Sequence, residues 1–307
     1  AGVELLLAAP TGRAARRMSE VTGLNALTIH RLLEFDPKAY TFRRNQNNPF
    51  FNKCLIVDEI SMVDLSLMAS LLKALDSNCT LILVGDADQL PSIGPGTLFR
   101  DLLSYDKIES TRLMTIHRQG ADSAIALNAQ RINRGEMPRA VEAEGVEGNF
   151  HLIATHSAEE SRDQLLSLVT EIIPEKYGVH PIDDIQVLIP MHKGILGTEE
   201  LNRALQERLN PHGRKFRIGP VDLCEGDKVM QFKNDYESNI FNGDIGRIVG
   251  EKKNEPAAII DFGEWVAITA EKIDQIGLAY ASTIHKSQGS EYPIVVVALD
   301  RSHHRML

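Results

Sequence analysis

The sequence predicts an α/β fold with a separate all-β insertion, and three observations lead to this prediction. Two short apolar runs, Cys54–Val57 and Cys79–Val84, have the length and the β-branched content of buried parallel strands. Between them leucine and methionine recur at helical spacing, which makes this stretch a β-α-β unit. The segment Arg214–Ile276 instead carries short runs at regular spacing, which is typical of a small β-barrel.

Size and composition limit the possible classes of protein. A chain of 307 residues with 43% apolar content can form two or three domains, and its net charge of −9 confines any DNA contact to local patches. Cys54, Cys79 and Cys224 are odd in number and form no C-x-x-C pair, so we expect a reducing, cytoplasmic environment without a zinc site. No apolar run approaches the roughly 18 residues of a membrane span, so we expect no membrane partner.

The chain opens in a predicted strand, Val3–Ala9, which leads into a turn at residues 10–12. Arg13, Arg16 and Arg17 then occupy the first turns of a predicted helix. Cations at this end of a helix oppose its dipole, yet they suit a neighbouring phosphate chain. The alternative is an exposed basic helix with no ligand.

The segment Asp36–Asn52 alternates weakly and carries turn-forming residues at 45–49, which predicts a hairpin that leaves the sheet. It has few apolar residues, so we expect the neighbouring sheet to hold it while its tip projects. Tyr40 and Phe42 are then available to stack on a base pair, and Arg43 and Arg44 to hold phosphates. An ordinary surface excursion is the alternative.

Both apolar runs of the β-α-β unit end in carboxylates: Asp58 and Glu59 after the first run, Asp86 and Asp88 after the second. Open α/β sheets bind ligands at these strand ends. An Asp-Glu pair after a buried strand is how nucleotide-hydrolysing folds hold Mg²⁺ and orient a water molecule. Alternatively, Asp58 caps the following helix and Glu59 is solvated. The polar end of the second strand favours a shared cleft.

The second half of the chain predicts another α/β series around the barrel. Thr198 is expected to begin a helix with its hydroxyl as the N-cap and an acidic first turn. An Asn-Gly turn at 241–244 indicates a hairpin. The other predicted elements are a helix at Ser123–Arg134, a strand at Phe150–Ala154, a helix at Ala158–Ile173, and strands at Asp184–Ile189, Ile245–Val249, Ala257–Asp261, Trp265–Thr269 and Val295–Leu299.

Several of these stretches resemble motifs of superfamily 1 DNA helicases, above all the RecD/TraA group, which translocates 5′ to 3′. V-D-E-I-S-M-V-D and L-V-G-D-A-D-Q-L-P-S-I-G-P-G are similar to motifs II and III, and H-K-S-Q-G-S-E resembles motif V. P-T-G-R-A-A-R-R-M resembles motif Ia, and T-I-H-R-Q resembles motif IV. P-M-H-K-G-I-L-G-T-E-E-L-N matches a signature of the RecD group.

The resemblance implies two RecA-like P-loop NTPase lobes that bind ATP and Mg²⁺ between them. The first lobe is expected at 1–118 with 36–52 as an inserted hairpin, the second at 119–213 and 277–307, and an SH3-like barrel at 214–276. Asp58 would hold Mg²⁺ through water, Glu59 would activate the attacking water, and Gln89 would sense the γ-phosphate. Arg118 would reach that phosphate, with Gly289 and Glu291 also near the nucleotide. The residues implied on the DNA path are Pro10, Thr11, Arg13, Thr28, His30, Arg31, His192, Lys193, Thr283, His285 and Lys286.

One expected element is missing: nothing in the sequence reads G-x-x-x-x-G-K-[ST], the loop that cradles the β- and γ-phosphates. The Gly94-Pro95-Gly96 stretch lacks the lysine. The resemblance places that loop before Ala1 and motif VI after Leu307. We therefore expect a fragment truncated at both ends, which on its own hydrolyses ATP only at a background rate.

The resulting expectation is the core of an ATP-dependent 5′→3′ helicase that moves along single-stranded DNA and unwinds duplex junctions, with repair or recombination proteins as possible partners. One alternative is a DNA-binding or scaffold module that keeps the fold but does not hydrolyse ATP, which the missing loop favours. Another is a TraA-type, relaxase-linked sibling. The sequence does not decide between siblings.

Overall fold

The computed structural model describes residues 3–113, 123–140, 148–235, 237–301 and 303. Within this part of the chain a four-stranded parallel sheet comes first, and an antiparallel β-rich region then interrupts a three-stranded parallel sheet. Here no helix is long and apolar enough to cross a membrane. All three cysteines are free thiols.

The strands are β1 (Glu4–Ala9), β2 (Ala26–Thr28), β3 (Phe35–Asp36), β4 (Thr41–Phe42), β5 (Lys53–Val57), β6 (Thr80–Leu83), β7 (Ile185–Ile189), β8 (Lys215–Ile218), β9 (Val221–Cys224), β10 (Lys228–Gln231), β11 (Ile245–Glu251), β12 (Ala257–Asp261), β13 (Trp265–Thr269), β14 (Ile276–Leu278), β15 (Ala281–Thr283) and β16 (Ile294–Val297). The helices are α1 (Gly12–Thr22), α2 (Ile29–Leu32), α3 (Leu65–Lys73), α4 (Leu98–Ser104), α5 (Ala124–Asn133), α6 (Ala158–Ser167), α7 (Ile173–Tyr177) and α8 (Thr198–Leu209).

The first sheet has the strand order β2-β1-β5-β6, and every pairing in it is parallel. Strand β5 lies inside the sheet, and its Leu55 and Val57 are fully buried. Helix α3 buries Met68 and Leu71 against the same core. The β-α-β prediction is therefore confirmed, although α3 ends at Lys73, before the last leucine of its predicted pattern.

The hairpin inserted in the first sheet is shorter than predicted. Strands β3 and β4 pair Phe35 with Phe42, and the chain then reaches the C-terminal end of α3, where the Phe50 amide donates to the Ala74 carbonyl. The expectation that Phe42 is available for stacking is wrong, because its ring packs on the main core and lies 5.2 Å from the Phe35 ring. Tyr40, at the tip, remains 84% exposed.

The second sheet has the order β15-β7-β16 and is also parallel. A continuous helical stretch over residues 158–177 covers it, with a π-helical turn between α6 and α7. The predicted strand at Phe150–Ala154 is wrong, because this segment is irregular and pairs with no strand in the described residues. The Thr198 prediction is half right: α8 begins there, but Gly197 is its N-cap residue and no side chain caps it.

The β-rich region combines a five-stranded antiparallel sheet, in the order β13-β12-β11-β10-β14, with the hairpin of β8 and β9. Both sheets contribute to one apolar core, which includes Ile218, Ile248 and Ile260. The predicted bounds of β12 and β13 are confirmed.

A buried polar network joins the β-rich region to the second sheet. The Asp227 carboxylate accepts hydrogen bonds from Asn210 Nδ2 at 2.7 Å, Tyr280 OH at 3.0 Å and Gln206 Nε2 at 2.5 Å. Burial raises the pKa of Asp227 despite these donors. The neighbouring Lys228 ammonium donates to the Ile185 carbonyl at 3.1 Å, and burial lowers its pKa to about 8. Removing either charge from water is costly unless such partners are present.

We predict that Lys228 makes stability depend on pH. Between its folded pKa of about 8 and its ordinary value of 10.5, the unfolded state binds more protons, so the free energy of unfolding rises as pH increases through this window. The full contribution is on the order of 3 kcal/mol. Chemical denaturation from pH 7 to 10.5 should show this rise in the native chain but not in Lys228→Met. Exposed Lys215 provides the control: Lys215→Met should keep the rise, and an unchanged profile in Lys228→Met would contradict the prediction.

Candidate functional site

One edge of the first sheet collects most of the predicted site. Because its strands are parallel, their carboxyl ends lie at the same edge. The residues at or just after these ends are Pro10 and Thr11 after β1, Thr28 at the end of β2, Asp58 and Glu59 after β5, and Asp86, Asp88 and Gln89 after β6.

Asp58 and Glu59 form a sharp turn rather than a helix cap. Glu59 adopts a left-handed backbone conformation with φ of 53°, and its amide donates to Asp58 Oδ1 at 2.9 Å. The alternative that Asp58 caps the next helix is wrong, because Asp64 caps α3 by accepting from the Leu67 amide. A left-handed residue with a Cβ costs about 1–2 kcal/mol. Strain of this kind concentrates at functional sites.

The loop after β6 is shaped by its own carboxylates and by α3. Asp86 Oδ1 accepts from the Asp88 amide at 2.9 Å, which turns the chain toward half-buried Gln89. Further along, Gly94 passes so close to α3 that a Cβ there would lie 2.3 Å from Asp64 Oδ2. Gln89 therefore sits in a loop that is held against the strand–helix unit carrying Asp58.

The tetrapeptide T-I-H-[RK] occurs three times in the sequence, at 28–31, 115–118 and 283–286, and the first and last copies make the same threonine-to-amide hydrogen bond. Thr28 Oγ1 accepts from the Arg31 amide at 3.2 Å, and Thr283 Oγ1 accepts from the Lys286 amide at 3.4 Å. Each threonine ends a parallel strand. Thr28 is the N-cap residue of α2, whereas Ile284 occupies the N-cap position of the turn after Thr283. The third copy, which includes Arg118, lies outside the described residues.

Aromatic rings surround two of the predicted DNA-binding side chains. The His30 ring lies 5.6 Å from the Phe35 ring, and burial lowers its pKa although Asp64 acts in the opposite direction. Lys286 Nζ lies 3.5 Å from the centre of the Phe232 ring, and burial lowers the pKa of this lysine as well. His30 is thus a packed, neutral group, whereas Arg31 is exposed.

Residues 288–291 of the predicted motif V touch the first sheet's unit directly. Gln288 Nε2 donates to the Leu90 carbonyl at 2.9 Å, beside Gln89. Arg17 pairs with Glu291 at 3.2 Å, and both side chains are more than half exposed. Gly289 is exposed and left-handed, with φ of 73°. These contacts place Gln288 beside the Gln89 loop and Glu291 beside helix α1.

The remaining predicted DNA-side residues are less closely connected. His192 Nδ1 lies 3.1 Å from Thr198 Oγ1, a contact within its own segment, and Lys193 is exposed. His285 follows Thr283 in the turn that ends β15 and is half-buried. Sequence reasoning missed the partners Gln288 and Phe232; the only available signal was that Gln288 lies inside the motif V text.

Comparison with known proteins agrees with this architecture. Three family models match the chain: an AAA domain over residues 2–95, the SH3 domain of ATP-dependent RecD-like DNA helicases over 201–262, and a UvrD-like helicase C-terminal domain over 278–307. Two parallel-sheet units and the match to the SH3 domain of RecD-like DNA helicases give the chain a helicase-like α/β architecture.

The relatives specify the group. The chain is 38% identical over its whole length to the ATP-dependent RecD2 DNA helicase of Deinococcus radiodurans, covering 40% of that protein. It is 30% identical to the RecBCD enzyme subunit RecD of Mycolicibacterium smegmatis, covering 99% of the chain and 58% of the subunit. The chain is thus a relative of the RecD-type DNA helicases, and it spans about half the length of these relatives.

Solved structures share the fold. A Pif1 helicase from Bacteroides, determined with ADP-AlF3 and single-stranded DNA, superposes with a TM-score of 0.56 at 20% identity, covering 98% of this chain and 78% of that one. The Pif1 helicase of Candida albicans gives a TM-score of 0.54 at 18% identity, covering 96% and 78%. At these identities the likeness shows the fold alone.

Proposed function

We propose that this chain is the core of an ATP-dependent DNA helicase that moves 5′ to 3′ along single-stranded DNA and unwinds duplex junctions in the cytoplasm. The observation that carries the proposal is the strained Asp58–Glu59 turn at the carboxyl edge of the first sheet, beside the Gln89 loop. The relative from Deinococcus radiodurans is named an ATP-dependent DNA helicase, which supports this proposal.

The proposed nucleotide site needs only one or two protein ligands for its metal ion. Mg²⁺ keeps several waters and needs only one or two carboxylates, so half-buried Asp58 fits as its protein contact. When bound, the ion would neutralise charge on the phosphates. Glu59 would orient and deprotonate the attacking water, and Gln89 and Arg118 would contact the γ-phosphate, with Gly289 and Glu291 at the border.

The DNA half of the proposal uses local cations on a chain of net charge −9. Arg31, Lys193 and Lys286 would contact phosphates, and the Thr28 and Thr283 hydroxyls, which accept from the Arg31 and Lys286 amides, would hold the turns that carry two of these cations. Pro10, Thr11 and Arg13 would continue the path at the end of β1. The relatives that are subunits of RecBCD suggest repair or recombination proteins as partners.

The competing proposal is a module that binds DNA without hydrolysing ATP. It is favoured by the absence of a G-x-x-x-x-G-K-[ST] loop from these 307 residues. A second alternative is a TraA-type, relaxase-linked helicase, which would share the helicase core with the RecD-type proposal.

We predict that Glu59→Gln in the longer protein preserves ATP binding but lowers kcat by about 10²–10⁴-fold, because the general base is lost. Steady-state ATPase assays with saturating single-stranded DNA measure this. Glu20, an exposed acid on α1, provides the control: Glu20→Gln should leave kcat unchanged.

The 307-residue chain on its own should hydrolyse ATP only at a background rate, because its sequence contains no G-x-x-x-x-G-K-[ST] loop. ATP hydrolysis by this chain that increases on addition of single-stranded DNA would contradict the prediction.

We also predict that the hairpin tip separates strands. Replacing residues 37–40 by a Gly-Ser turn removes exposed Tyr40 but keeps the packed Phe35 and Phe42. Duplex unwinding by the longer protein should fall at least tenfold while ATPase activity stimulated by single-stranded DNA persists, because translocation does not use the tip. Equal loss of both activities would mean that the tip is structural, and loss of neither would mean that it is a surface loop.

A further inference from the structure

The start of helix α1 is in unusually close contact with the β-rich region. A Cβ built on Gly12 would lie 1.9 Å from Cγ of Phe241, so the phenyl ring occupies the space that any other residue would need. Phe241 is only 6% exposed. Gly12 does not have a left-handed backbone, so glycine is required here for space and not for conformation. Any larger residue at position 12 must displace the ring.

The same loop, residues 239–244, holds two arginines of α1. Arg13 Nη2 donates to the Gly243 carbonyl at 2.7 Å, and its Nη1 bonds to Ser290 Oγ. Arg16 Nη2 donates to the Asn239 carbonyl at 3.3 Å and to Asp244 Oδ2 at 3.4 Å. Since a guanidinium carries five N–H donors, both arginines keep donors for a further ligand.

The loop is itself firmly anchored. Asp244 Oδ2 accepts from the Phe241 amide at 2.9 Å, so one carboxylate holds both the loop and Arg16. The Gly243 amide donates to the Gln231 carbonyl, and the Gln231 amide donates to the Asp244 carbonyl, both at 2.9 Å. The 239–244 loop therefore moves with strand β10 of the β-rich region.

We propose that Phe241 and Asp244 are positioning residues, through which the β-rich insertion sets the placement of Arg13 and Arg16 and hence the affinity of the first sheet's edge for single-stranded DNA. This inference rests on the proposed function, in which α1 borders the DNA path. It assigns the insertion a role in the DNA affinity of a different unit of the chain.

The test is a double-mutant cycle on Gly12→Ala and Phe241→Ala. Affinity for a short fluorescent single strand is read by anisotropy on the 307-residue chain, with melting temperature as the second measurement. Each single variant should weaken binding by about fivefold or more, a typical coupling factor. Gly12→Ala should also lower the melting temperature, although alanine is normally the better helix residue. The double variant should bind as Phe241→Ala does, because both changes act on one contact.

Two further variants keep the result interpretable if Gly12→Ala fails to fold. Asp244→Asn keeps an acceptor for the Phe241 amide but removes the negative charge that faces Arg16. In the longer protein this variant should raise KM for single-stranded DNA about fivefold and leave kcat unchanged. Asp222→Asn is the matched control, since Asp222 pairs with Arg217 at 3.6 Å within the β-rich region itself. It should change neither quantity.

The outcomes separate this inference from the function on which it rests. Additive losses in the double variant, or a lower melting temperature with unchanged affinity, would overturn the positioning role alone. Equal effects of Asp244→Asn and Asp222→Asn would do the same. A native chain that binds no single-stranded DNA would overturn the proposed function together with this inference.

Discussion

The structure depends on the parallel alignment of β1, β2, β5 and β6. Burial of Leu55 and Val57 fixes β5 between its neighbours, and parallel pairing then brings every strand end to one edge. The strained turn at Glu59, the capped turn at Thr28 and the Gln89 loop are neighbours for this reason, although 61 residues separate the last two in sequence (89 − 28).

The electrostatics of this border explain how an acidic chain can offer a site for a polyanion. Arg16 and Arg17 are paired with Asp244 and Glu291, but both arginines are substantially exposed. The exposed Arg17–Glu291 pair is worth about 0–1 kcal/mol, so a phosphate can replace that carboxylate at little cost. Asp244 is only 7% exposed and keeps Arg16 in place. The buried network around Asp227 is different: it is shielded from solvent and joins the insertion to the second sheet.

Sequence analysis correctly predicted the elements in which the buried face produces a regular apolar pattern, such as β5, α3, β12 and β13. The predicted strand at 150–154 was wrong because a strand-like pattern forms a strand only when a neighbouring strand pairs with it. The predicted roles of Phe42 and of the Thr198 hydroxyl were wrong because these groups contact other parts of the fold, the first core and His192 respectively. The candidate residues of the site were named from motif spacing, which is local, and their roles stay predictions. The contacts of Arg13 were not predicted, since they span 277 and 230 residues and no periodicity records them.

The central claim is that the carboxyl edge of the first sheet, continued by residues 283–286, faces single-stranded DNA. Photo-crosslinking the 307-residue chain to a short oligonucleotide with diazirine-bearing nucleotides, followed by mass spectrometry of the joined peptides, tests it without any need for ATP hydrolysis. Cross-links are expected at residues 10–13, 28–31 and 283–286. Cross-links confined to the opposite end of the sheet near Glu4, or to exposed Trp265 on β13, would contradict it.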